Sequence, residues 1–456
     1  MSAPASESAK ANAVDSDDAI ASPPVGWSRL LWLGPGFLWM VSAAGSGELL
    51  FTPRIGALYG YSLVWAMLIA VAFKWFVNRE IGRYAVCTGK SLMEGFRSLP
   101  GPKNWALYLI LVPQLFVAVA TIAGLAGSAA TALALALPGP LVLWTISGIV
   151  AATALVVWGR YKGVERAAMG FGIALAVTSV AAAVTVTPDY GELAQGFAPQ
   201  RPEDVEYAEV LPWLGFLLSG AAGMIWYAYW VRAKGYGAAG TGTPGEFEAK
   251  QATPAQIERL RGWLTQMTLD NSVAVVGTLL ITLAFLILGA ELLRPEGLVP
   301  EEERIADVLG ELLGGVWGRA GYWFMVTGVF VGFWDTVLSD QDGFGRMFAD
   351  GTRQLTRSRK LPRGWDDEER LRRAFVIVLL TIAPIVLYLL VGEPVGLLKA
   401  AGVIEAAHIP VVAGIMLYLN RRSLPPELQA SPLVFALTAL AGVFFAAFAI
   451  LYIFTL

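Results

Sequence analysis

The fold is indicated by a glycine-rich apolar stretch at residues 31–51, which reads Leu31-Trp-Leu-Gly-Pro-Gly-Phe-Leu-Trp-Met-Val-Ser-Ala-Ala-Gly45-Ser46-Gly47-Glu48-Leu-Leu-Phe51. A second such stretch reads Leu214-Gly-Phe-Leu-Leu-Ser219-Gly220-Ala221-Ala222-Gly223-Met224-Ile-Trp226. Apolar segments that are interrupted at matching places in two halves of a membrane protein indicate a transporter's substrate site. Backbone freed from helical hydrogen bonds at membrane depth must line a cavity enclosed by protein. We therefore predict two discontinuous helices that meet inside the membrane.

The composition is that of a helical membrane protein. The 456 residues are 56% hydrophobic and 15% charged, with a mean hydropathy of +0.59, whereas soluble domains carry about 25% charged residues. The only cysteine, Cys87, excludes an internal disulfide and a thiolate metal cluster. No basic stripe indicates nucleic-acid binding, so membrane lipid and a small inorganic cation are the expected partners.

Hydropathy predicts an all-α polytopic membrane protein with about eleven spans. The predicted spans cover residues 30–58, 61–84, 105–136, 139–158, 164–187, 208–232, 264–290, 316–345, 372–391, 395–419 and 432–455. The interruptions fall in the first and sixth spans, an offset of five. Spans 1–5 and 6–10 would then have opposite topology, which is the inverted-repeat arrangement, with the eleventh span as an addition.

The domain organisation follows from the same pattern. Residues 1–27, rich in Ala, Ser, Pro and acids, are expected to form a disordered cytoplasmic tail, and residues 28–456 a single transporter domain. Repeat one covers about 30–187 and repeat two about 208–419, with the extra helix at 432–455. Lys and Arg concentrate in alternate loops, which places those loops in the cytoplasm. We expect the N-terminus inside and the C-terminus outside a bacterial inner (plasma) membrane.

Glu48 is the first candidate ligand for a transported ion. It follows the first glycine interruption, and an ionisable group at membrane depth is by default a functional candidate. Its alternative role is to complement the dipole at the start of the second half-helix. Backbone carbonyls near Gly45 and at Ala221 would be freed by the interruptions and could coordinate a cation.

Met224 follows the second interruption and adds a thioether. Thioethers are soft ligands that suit transition metals better than magnesium or calcium. Methionine more commonly serves as an apolar filler in helices. Glu48 and Met224 are together the predicted metal ligands.

The eighth span contains an acid-rich motif, Gly332-Phe-Trp-Asp335-Thr336-Val-Leu-Ser339-Asp340-Gln341-Asp342. Asp335 and Thr336 could bind a sodium ion or relay a proton. For Asp340 and Asp342 we expect a structural position at the cytoplasmic end of the span, paired with Arg346.

Glu405 and His408 lie three residues apart in the tenth span and therefore share a helix face. His408 is the only histidine of the chain, and histidine titrates near neutral pH. The pair could relay protons. The alternative is a hydrogen-bonded pair that packs against another helix.

Two further motifs have structural interpretations. Asp270-Asn271-Ser272 is expected to cap the seventh helix rather than to bind a ligand. The aromatic run Trp226-Tyr227-Ala-Tyr229-Trp230 could surround an organic cation. Aromatic belts at the membrane interface explain such residues more often.

Several motifs resemble those of the Nramp family of divalent-metal transporters. They are Gly34-Pro35-Gly36-Phe37-Leu38, Gly45-Ser46-Gly47-Glu48, Gly56-Ala57-Leu58-Tyr59-Gly60-Tyr61 and Thr88-Gly89-Lys90, with weaker matches through Ala221–Met224, Asp270 and Ile409-Pro410. The resemblance implies a LeuT-like 5+5 inverted repeat with discontinuous helices 1 and 6. It also implies import of manganese or iron, usually together with protons.

The chain departs from the family pattern at the metal site. Where the family has Asp-Pro-Gly-Asn in helix 1, this sequence has Gly45-Ser46-Gly47-Glu48. The helix 6 pattern Ala-x-x-Met-Pro-His keeps only Ala221 and Met224, and Trp226 stands in place of the histidine. The acids of helix 3 fall at about Thr121 and Gly124, and His408 stands where the family tends to have glutamine. Glu48 could partly replace the missing aspartate.

These patterns predict a secondary active transporter that moves a divalent metal cation through a site between helices 1 and 6. The alternative is a sodium- or proton-coupled transporter of a non-metal small solute on the same fold. We expect no cofactor other than the transported cation and a sodium ion or proton as coupling ion. The sequence has no histidine-rich motif and no Gly-x-Ser-x-Gly elbow that would indicate an enzyme. The chain is expected to act as a monomer.

Overall fold

The computed structural model describes residues 20–159, 162–202, 204–241, 247–357 and 367–454, and within them the chain is helical without strands. The helices are α1 (Ser28–Leu31), α2 (Pro35–Ala43), α3 (Thr52–Tyr59), α4 (Val64–Thr88), α5 (Leu92–Arg97), α6 (Trp105–Ala136), α7 (Leu141–Trp158), α8 (Lys162–Thr185), α9 (Tyr190–Gly196), α10 (Tyr207–Phe216), α11 (Ala221–Ala233), α12 (Pro254–Leu288), α13 (Ile305–Thr356), α14 (Glu368–Ile377), α15 (Ala383–Val391), α16 (Pro394–Ser423) and α17 (Pro432–Ile453). Short π-helical segments occupy Ala44–Phe51, Gly289–Leu293 and Val378–Ile382.

Nine helices of the described chain are long and apolar enough to cross a membrane, and they correspond to the third to eleventh predicted spans. The first predicted span is α2, the π-helical segment Ala44–Phe51 and α3 in sequence. The second is α4, whose 25 residues include the charged Lys74, Arg79, Glu80 and Arg83. The all-α polytopic membrane fold is therefore confirmed. Helix α13 is longer than the eighth predicted span, and it kinks at Gly318, where φ is 62°.

The centre of the bundle is formed by α6, α13 and α16. Helices α13 and α16 both pack along α6, and α16 also contacts α10 and α17. On another side α12 packs against α2 and α4. The π-helical segment Ala44–Phe51 lies between these two groups of helices, because it contacts α10, α12 and α13. Both glycine-interrupted segments are thus enclosed by other helices rather than exposed to lipid.

The first glycine-rich segment is not unwound, so the predicted form of its interruption is wrong. Its helix continues through the π-helical segment, where hydrogen bonds run from residue i to i+5 and keep the backbone satisfied. The glycines serve close packing instead. A Cβ at Gly45 would collide with the Thr336 side chain, and one at Gly47 would lie 2.7 Å from the carbonyl oxygen of Phe216.

The second glycine-rich segment is broken, as the sequence predicts. Helix α10 ends at Phe216 and α11 begins at Ala221. Between them Leu218 and Ser219 have positive φ angles of 56° and 83°. Such a conformation costs a non-glycine residue about 1–3 kcal/mol, so the surrounding structure must hold it in place.

The N-terminal end of the first segment is capped by an acid from α12. The Asp270 carboxylate accepts hydrogen bonds from the backbone N–H groups of Gly34 (2.9 Å) and Gly36 (2.6 Å). Asp270 lies in the middle of α12 rather than at its start, which is Pro254. The expectation that it caps its own helix is therefore wrong, because it caps α2 instead.

The predicted disordered tail, residues 1–27, falls mostly on residues 1–19, which lie outside the described residues. From residue 20 onward the chain contacts α12. The side chain of Ile20 is buried, and its carbonyl oxygen accepts a hydrogen bond of 2.6 Å from Arg259. The Trp263 indole donates to the carbonyl oxygen of Ala21 at 2.8 Å. Residues 20–21 are therefore part of the folded domain.

Candidate cation site at the helix break

Two buried side chains with opposite charge hold the break between α10 and α11. The Glu48 Oε1 atom accepts a hydrogen bond of 2.8 Å from the backbone N–H of Leu218. The Lys74 Nζ atom donates to backbone carbonyl oxygens on both sides of that residue. Both side chains are fully buried. The unusual backbone of the break is thus satisfied by the first two membrane helices.

A small cavity lies against the break. Its volume is about 40 Å³, and a single water needs about 10–15 Å³ on this measure, so the cavity can hold one ion with one or two waters. Its lining comes from α6, the break, α11, α13 and α16, and comprises Val117, Thr121, Phe216, Ser219, Gly220, Ala222, Gly223, Trp226, Thr336, Asp340, Phe344 and Glu405. The side-chain oxygens of this lining belong to carboxylates and hydroxyls.

Glu405 places its carboxylate at the start of α11. Its Oε2 accepts from the backbone N–H of Ala222 and from Gln114 Nε2, both at 3.3 Å. A Cβ at Gly220 would lie 2.7 Å from the same oxygen. Only glycine therefore lets the carboxylate approach the helix N-terminus, where the helix dipole favours negative charge.

Asp340 is the second acid of the cavity, and our expectation for it was wrong. Its side chain is buried, and its Oδ2 has no hydrogen-bond partner among the described residues. It is Asp342 that pairs with Arg346, at 2.8 Å, and it also pairs with Arg372 at 2.8 Å. Residues two apart on a helix point about 200° apart. The two acids therefore face different surroundings, and only Asp340 faces the cavity.

Gln114 connects the two predicted relay residues of α16. Its Nε2 lies 2.9 Å from His408 Nδ1 and 3.3 Å from Glu405 Oε2. Glu405 and His408 therefore share a face, as predicted, and they share one partner on α6. His408 is buried but is not part of the cavity lining.

The other predicted site residues are distributed over the neighbouring packing. Gly45 packs against Thr336, which lines the cavity. Ala221 is the first residue of α11. Glu48 and Met224 are both fully buried, but neither belongs to the cavity lining that the described residues form. The predicted metal pair is therefore not brought together at this cavity.

Trp226 separates this cavity from a larger one toward the other end of α11. The second cavity has a volume of about 240 Å³ and is lined by α2, α11 and α13, including Trp226, Asp335, Asp342 and Arg346. The Trp226 ring packs edge-on against Phe344 with ring centroids 4.8 Å apart. Loop charge predicts that this end of the bundle is cytoplasmic. Asp335 lines this second cavity, and its neighbour Thr336 lines the cavity at the break.

The two tyrosines of this run, Tyr227 and Tyr229, form hydrogen bonds with acids of other helices. The Tyr229 hydroxyl donates to Asp350 at 2.9 Å, and the Tyr227 hydroxyl donates to Asp270 at 3.3 Å. Trp226 alone of the run lines the cavity at the break. Trp226, Tyr229 and Trp230 do line the second cavity together, so a cage for an organic cation there stays a prediction.

The opposite end of the bundle is closed by a network of charged side chains. Arg54 of α3 binds both carboxylate oxygens of Glu209 of α10 at 2.8 Å. Arg54 also donates to the carbonyl oxygen of Pro300 at 2.7 Å, and Lys399 of α16 donates to Glu209. Helices α3 and α10 are thus joined by a bidentate ion pair, which is among the strong charge-assisted hydrogen bonds.

Sequence reasoning missed three residues that organise the site: Lys74, Gln114 and Asp340. A signal existed for Lys74, because it is an isolated charge within an apolar run, which by itself marks a functional candidate. Gln114 gave no signal, since a glutamine in a long apolar helix has many structural roles. Asp340 faces the cavity because of the way α13 is rotated about its own axis. The sequence of α13 alone does not specify that rotation.

Residues 36–455 match the profile of the family described as natural resistance-associated macrophage protein-like, Nramp. Metal transporter Nramp5 of Oryza sativa subsp. japonica is 29% identical over 216 residues, which cover 46% of this chain and 39% of that protein. Metal transporter Nramp2 of Populus trichocarpa is 36% identical over 101 residues, which cover 22% of this chain and 18% of that protein. The chain thus aligns with less than half the length of these relatives.

Two solved structures share the fold. A manganese transporter of Eremococcus coleocola, in complex with an aromatic bis-isothiourea substituted compound, has a TM-score of 0.68 at 13% identity, with 96% of this chain and 90% of that chain covered. Mhp1, a nucleobase-cation-symport-1 family transporter, has a TM-score of 0.54 at 14% identity, with 94% and 91% covered. The predicted LeuT-like fold is confirmed. Because the family profile covers nearly the whole chain, this protein belongs to the Nramp family.

Proposed function

We propose that this protein is a secondary active transporter that moves a divalent metal cation through the cavity at the break between α10 and α11. The observation that carries the proposal is the pair of buried carboxylates, Asp340 and Glu405, in the lining of one small cavity. Buried charge is costly unless it is paired or coordinates a metal. Two carboxylates facing one space attract a doubly charged cation more strongly than any neutral solute.

The donor set favours a hard cation. Side-chain oxygens of Thr121, Ser219 and Thr336 stand beside the two carboxylates in the cavity lining. Carboxylate, hydroxyl and water oxygens are the ligands that magnesium, calcium and manganese prefer. No group of three or more His, Cys, Asp or Glu side chains that could hold a metal is found in the described part of the chain. The cation would therefore keep some of its water, as magnesium commonly does.

The first segment acts through position rather than ligation in this proposal. Glu48 fixes the break by accepting from Leu218, and Met224 supports the core of α11. Asp335, which lines the second cavity together with Trp226, is assigned to the path of the cation. These assignments replace the metal pair Glu48 and Met224 as the first choice, and Glu48 keeps a role in shaping the site.

The proposed coupling ion is a proton that Glu405 releases and the His408 ring accepts, while the Gln114 amide positions both groups without carrying the proton itself. The amide of Gln114 contacts both titratable groups. Entry of a cation beside Glu405 would favour loss of the carboxyl proton, because opposite charge stabilises the ionised form. Gln114 keeps His408 within reach of the same site.

Relatives support the metal as cargo. The plant relatives are named metal transporters, and the bacterial structural neighbour is a manganese transporter. The alternative, a coupled transporter of a non-metal small solute, has less support because ligand pockets for such solutes have volumes of about 300–1,000 Å³. The cavity at the break is about 40 Å³.

The proposal is tested by uptake into proteoliposomes. We expect saturable uptake of Mn²⁺, with Mg²⁺ and Ca²⁺ as competitors, and a reduction of roughly 10- to 100-fold in Asp340→Asn and Glu405→Gln. The matched control is Glu311→Gln, which changes an exposed acid of the same helix as Asp340 and should leave uptake unchanged. Undiminished uptake by both cavity variants would contradict the proposal.

A pH gradient tests the coupling route. An inwardly directed proton gradient should accelerate Mn²⁺ uptake by the native protein. In His408→Leu this acceleration should be lost while Mn²⁺ binding to the purified protein persists, because His408 does not line the cavity. A normal response to the gradient in this variant would remove His408 from the coupling route.

A further inference from the structure

Lys74 ends inside an enclosure made of backbone carbonyl oxygens. Its Nζ donates to the carbonyl oxygens of Gly215 at 2.7 Å, Leu217 at 2.5 Å and Ser219 at 2.8 Å. The side chain is fully buried. The ring of Phe445 from α17 covers another side, with its centroid 5.6 Å from Nζ. We call these three carbonyls and the ring the carbonyl cage.

The geometry requires that Lys74 is charged. Three carbonyl oxygens accept from one nitrogen, and only the ammonium form of lysine carries three N–H donors. The neutral amine has two donors and a lone pair that would face one of the carbonyl oxygens. The cage is thus built for a compact cation of one positive charge.

The position of the cage has the features of a cation site in its own right. It lies at the C-terminal end of α10, where the helix dipole is negative. Unwound carbonyls and half-helix C-termini at membrane depth are the groups by which transporters of this architecture coordinate small cations. The residue between the ligating carbonyls, Leu218, is held from the other side by Glu48. The cage is therefore rigidly formed on both faces of the break.

We propose that Lys74 is a built-in cation that fills this carbonyl cage, so that the helix break carries a tethered ammonium where a free monovalent ion would otherwise bind. Lys74 is a positioning residue, because it is not itself part of the cavity lining and acts through the backbone of Ser219. Its ammonium sets the carbonyls of the break and thereby the position of Ser219 and Gly220, which do line the cavity. Removal of the side chain leaves a vacancy that accepts a small cation from solution.

The experiment is chemical rescue of Lys74→Ala by methylammonium. Methylammonium replaces the last carbon, the three donors and the charge of the missing side chain. We expect Lys74→Ala to take up Mn²⁺ at least about tenfold more slowly than the native protein, because a misplaced binding group loses rate steeply. Methylammonium chloride should restore part of that rate and raise the melting temperature by several degrees, about 2–4 °C.

Three controls separate this proposal from a structural role and from ionic strength. Tetramethylammonium chloride at the same concentration has no N–H donor and should restore nothing. Lys74→Met fills the volume without charge, so it should be impaired and insensitive to methylammonium. The native protein should melt at the same temperature in either salt, because its cage is already filled.

Lys74→Gln keeps the test decisive if Lys74→Ala is not recovered in folded form. Glutamine provides two N–H donors and no charge, so we expect a folded protein with about tenfold slower uptake. Native uptake by Lys74→Gln would overturn the proposal, as would a folded Lys74→Ala that responds equally to both ammonium salts or to neither. The melting readout does not depend on the cargo, so failure of the proposed metal transport and failure of this inference can be told apart.

Discussion

The two glycine-rich segments have similar sequences and different backbones. The first segment stays helical through its glycines and widens to a π-helix at Ala44–Phe51. The second segment breaks between Phe216 and Ala221. In the first segment the glycines admit neighbouring atoms from α13 and α10. In the second, Gly220 admits the carboxylate of Glu405 to a helix N-terminus. A glycine cluster therefore indicates that another part of the protein packs closely against the helix. Whether the helix breaks there depends on which group packs against it.

The difference follows from where charge is available. The break at Leu218 is held by Glu48 on its N–H and by Lys74 on the adjoining carbonyls. In the π-helical segment Ala44–Phe51 the backbone keeps its hydrogen bonds inside the helix. The first segment thus supplies the Glu48 carboxylate, which holds the backbone of the second segment at Leu218.

Removal of the charge supplied by the first segment should have the largest effect on stability. Glu48→Ala leaves the Leu218 N–H without its acceptor and removes one of the two acids, Glu48 and Glu405, that interact electrostatically with Lys74. We expect a loss of about 3–5 kcal/mol in the free energy of unfolding, the usual range for breaking a buried ionic arrangement. Glu48→Gln keeps an acceptor for Leu218 and should lose less. The free energy of unfolding is measured by denaturant titration in detergent. A value for Glu48→Ala within about 1 kcal/mol of the native protein would show that Glu48 does not hold the break.

Substitution of the packing glycines should have an intermediate effect. In Gly47→Ala the new Cβ would lie 2.7 Å from the Phe216 carbonyl oxygen, which is backbone and cannot move aside. We expect a loss of about 1–3 kcal/mol. In Gly45→Ala the new Cβ would collide with Thr336 Oγ1, and rotation of that β-branched side chain would leave its own Cβ 3.0 Å away. We therefore expect both variants to lose stability in thermal unfolding, and native-like unfolding of either one would show that the packing around its glycine is adaptable.

The cap of the first segment should give the smallest effect. Asp270→Asn keeps one acceptor oxygen for Gly34 or Gly36 and places an amide N–H₂ against the other donor. We expect a loss of about 1 kcal/mol, as for other helix caps, with uptake little changed. Asp270→Ala removes both acceptors and should lose more. Equal unfolding curves for Asp270→Ala and the native protein would exclude the cap from the stability of α2.

Much of the fold could be predicted, because membrane spans are recorded directly in hydropathy and the repeat follows from the positions of the two interruptions. The choice of Glu405 as a candidate followed from an acid within an apolar helix, and Glu405 does line the candidate cavity. The break at Leu217–Gly220 followed from its glycine and serine residues. Each of these signals is local in the sequence.

What could not be predicted depends on how helices are rotated against one another. Asp340 and Asp342 are equivalent in the sequence, and only packing of α13 turns Asp340 to the cavity and leaves Asp342 with Arg346. The close packing of Gly45 against Thr336 likewise joins two distant parts of the chain. Such contacts between elements far apart in sequence place Glu405, and not Met224, in the lining of the candidate cavity.

The most direct test of the account is the position of a bound Mn²⁺ ion. Anomalous diffraction from crystals grown with Mn²⁺ would locate the metal without reference to any variant. The account predicts one peak in the cavity between the carboxylates of Asp340 and Glu405. A peak between Glu48 and Met224, with the Asp340–Glu405 cavity free of metal, would contradict it.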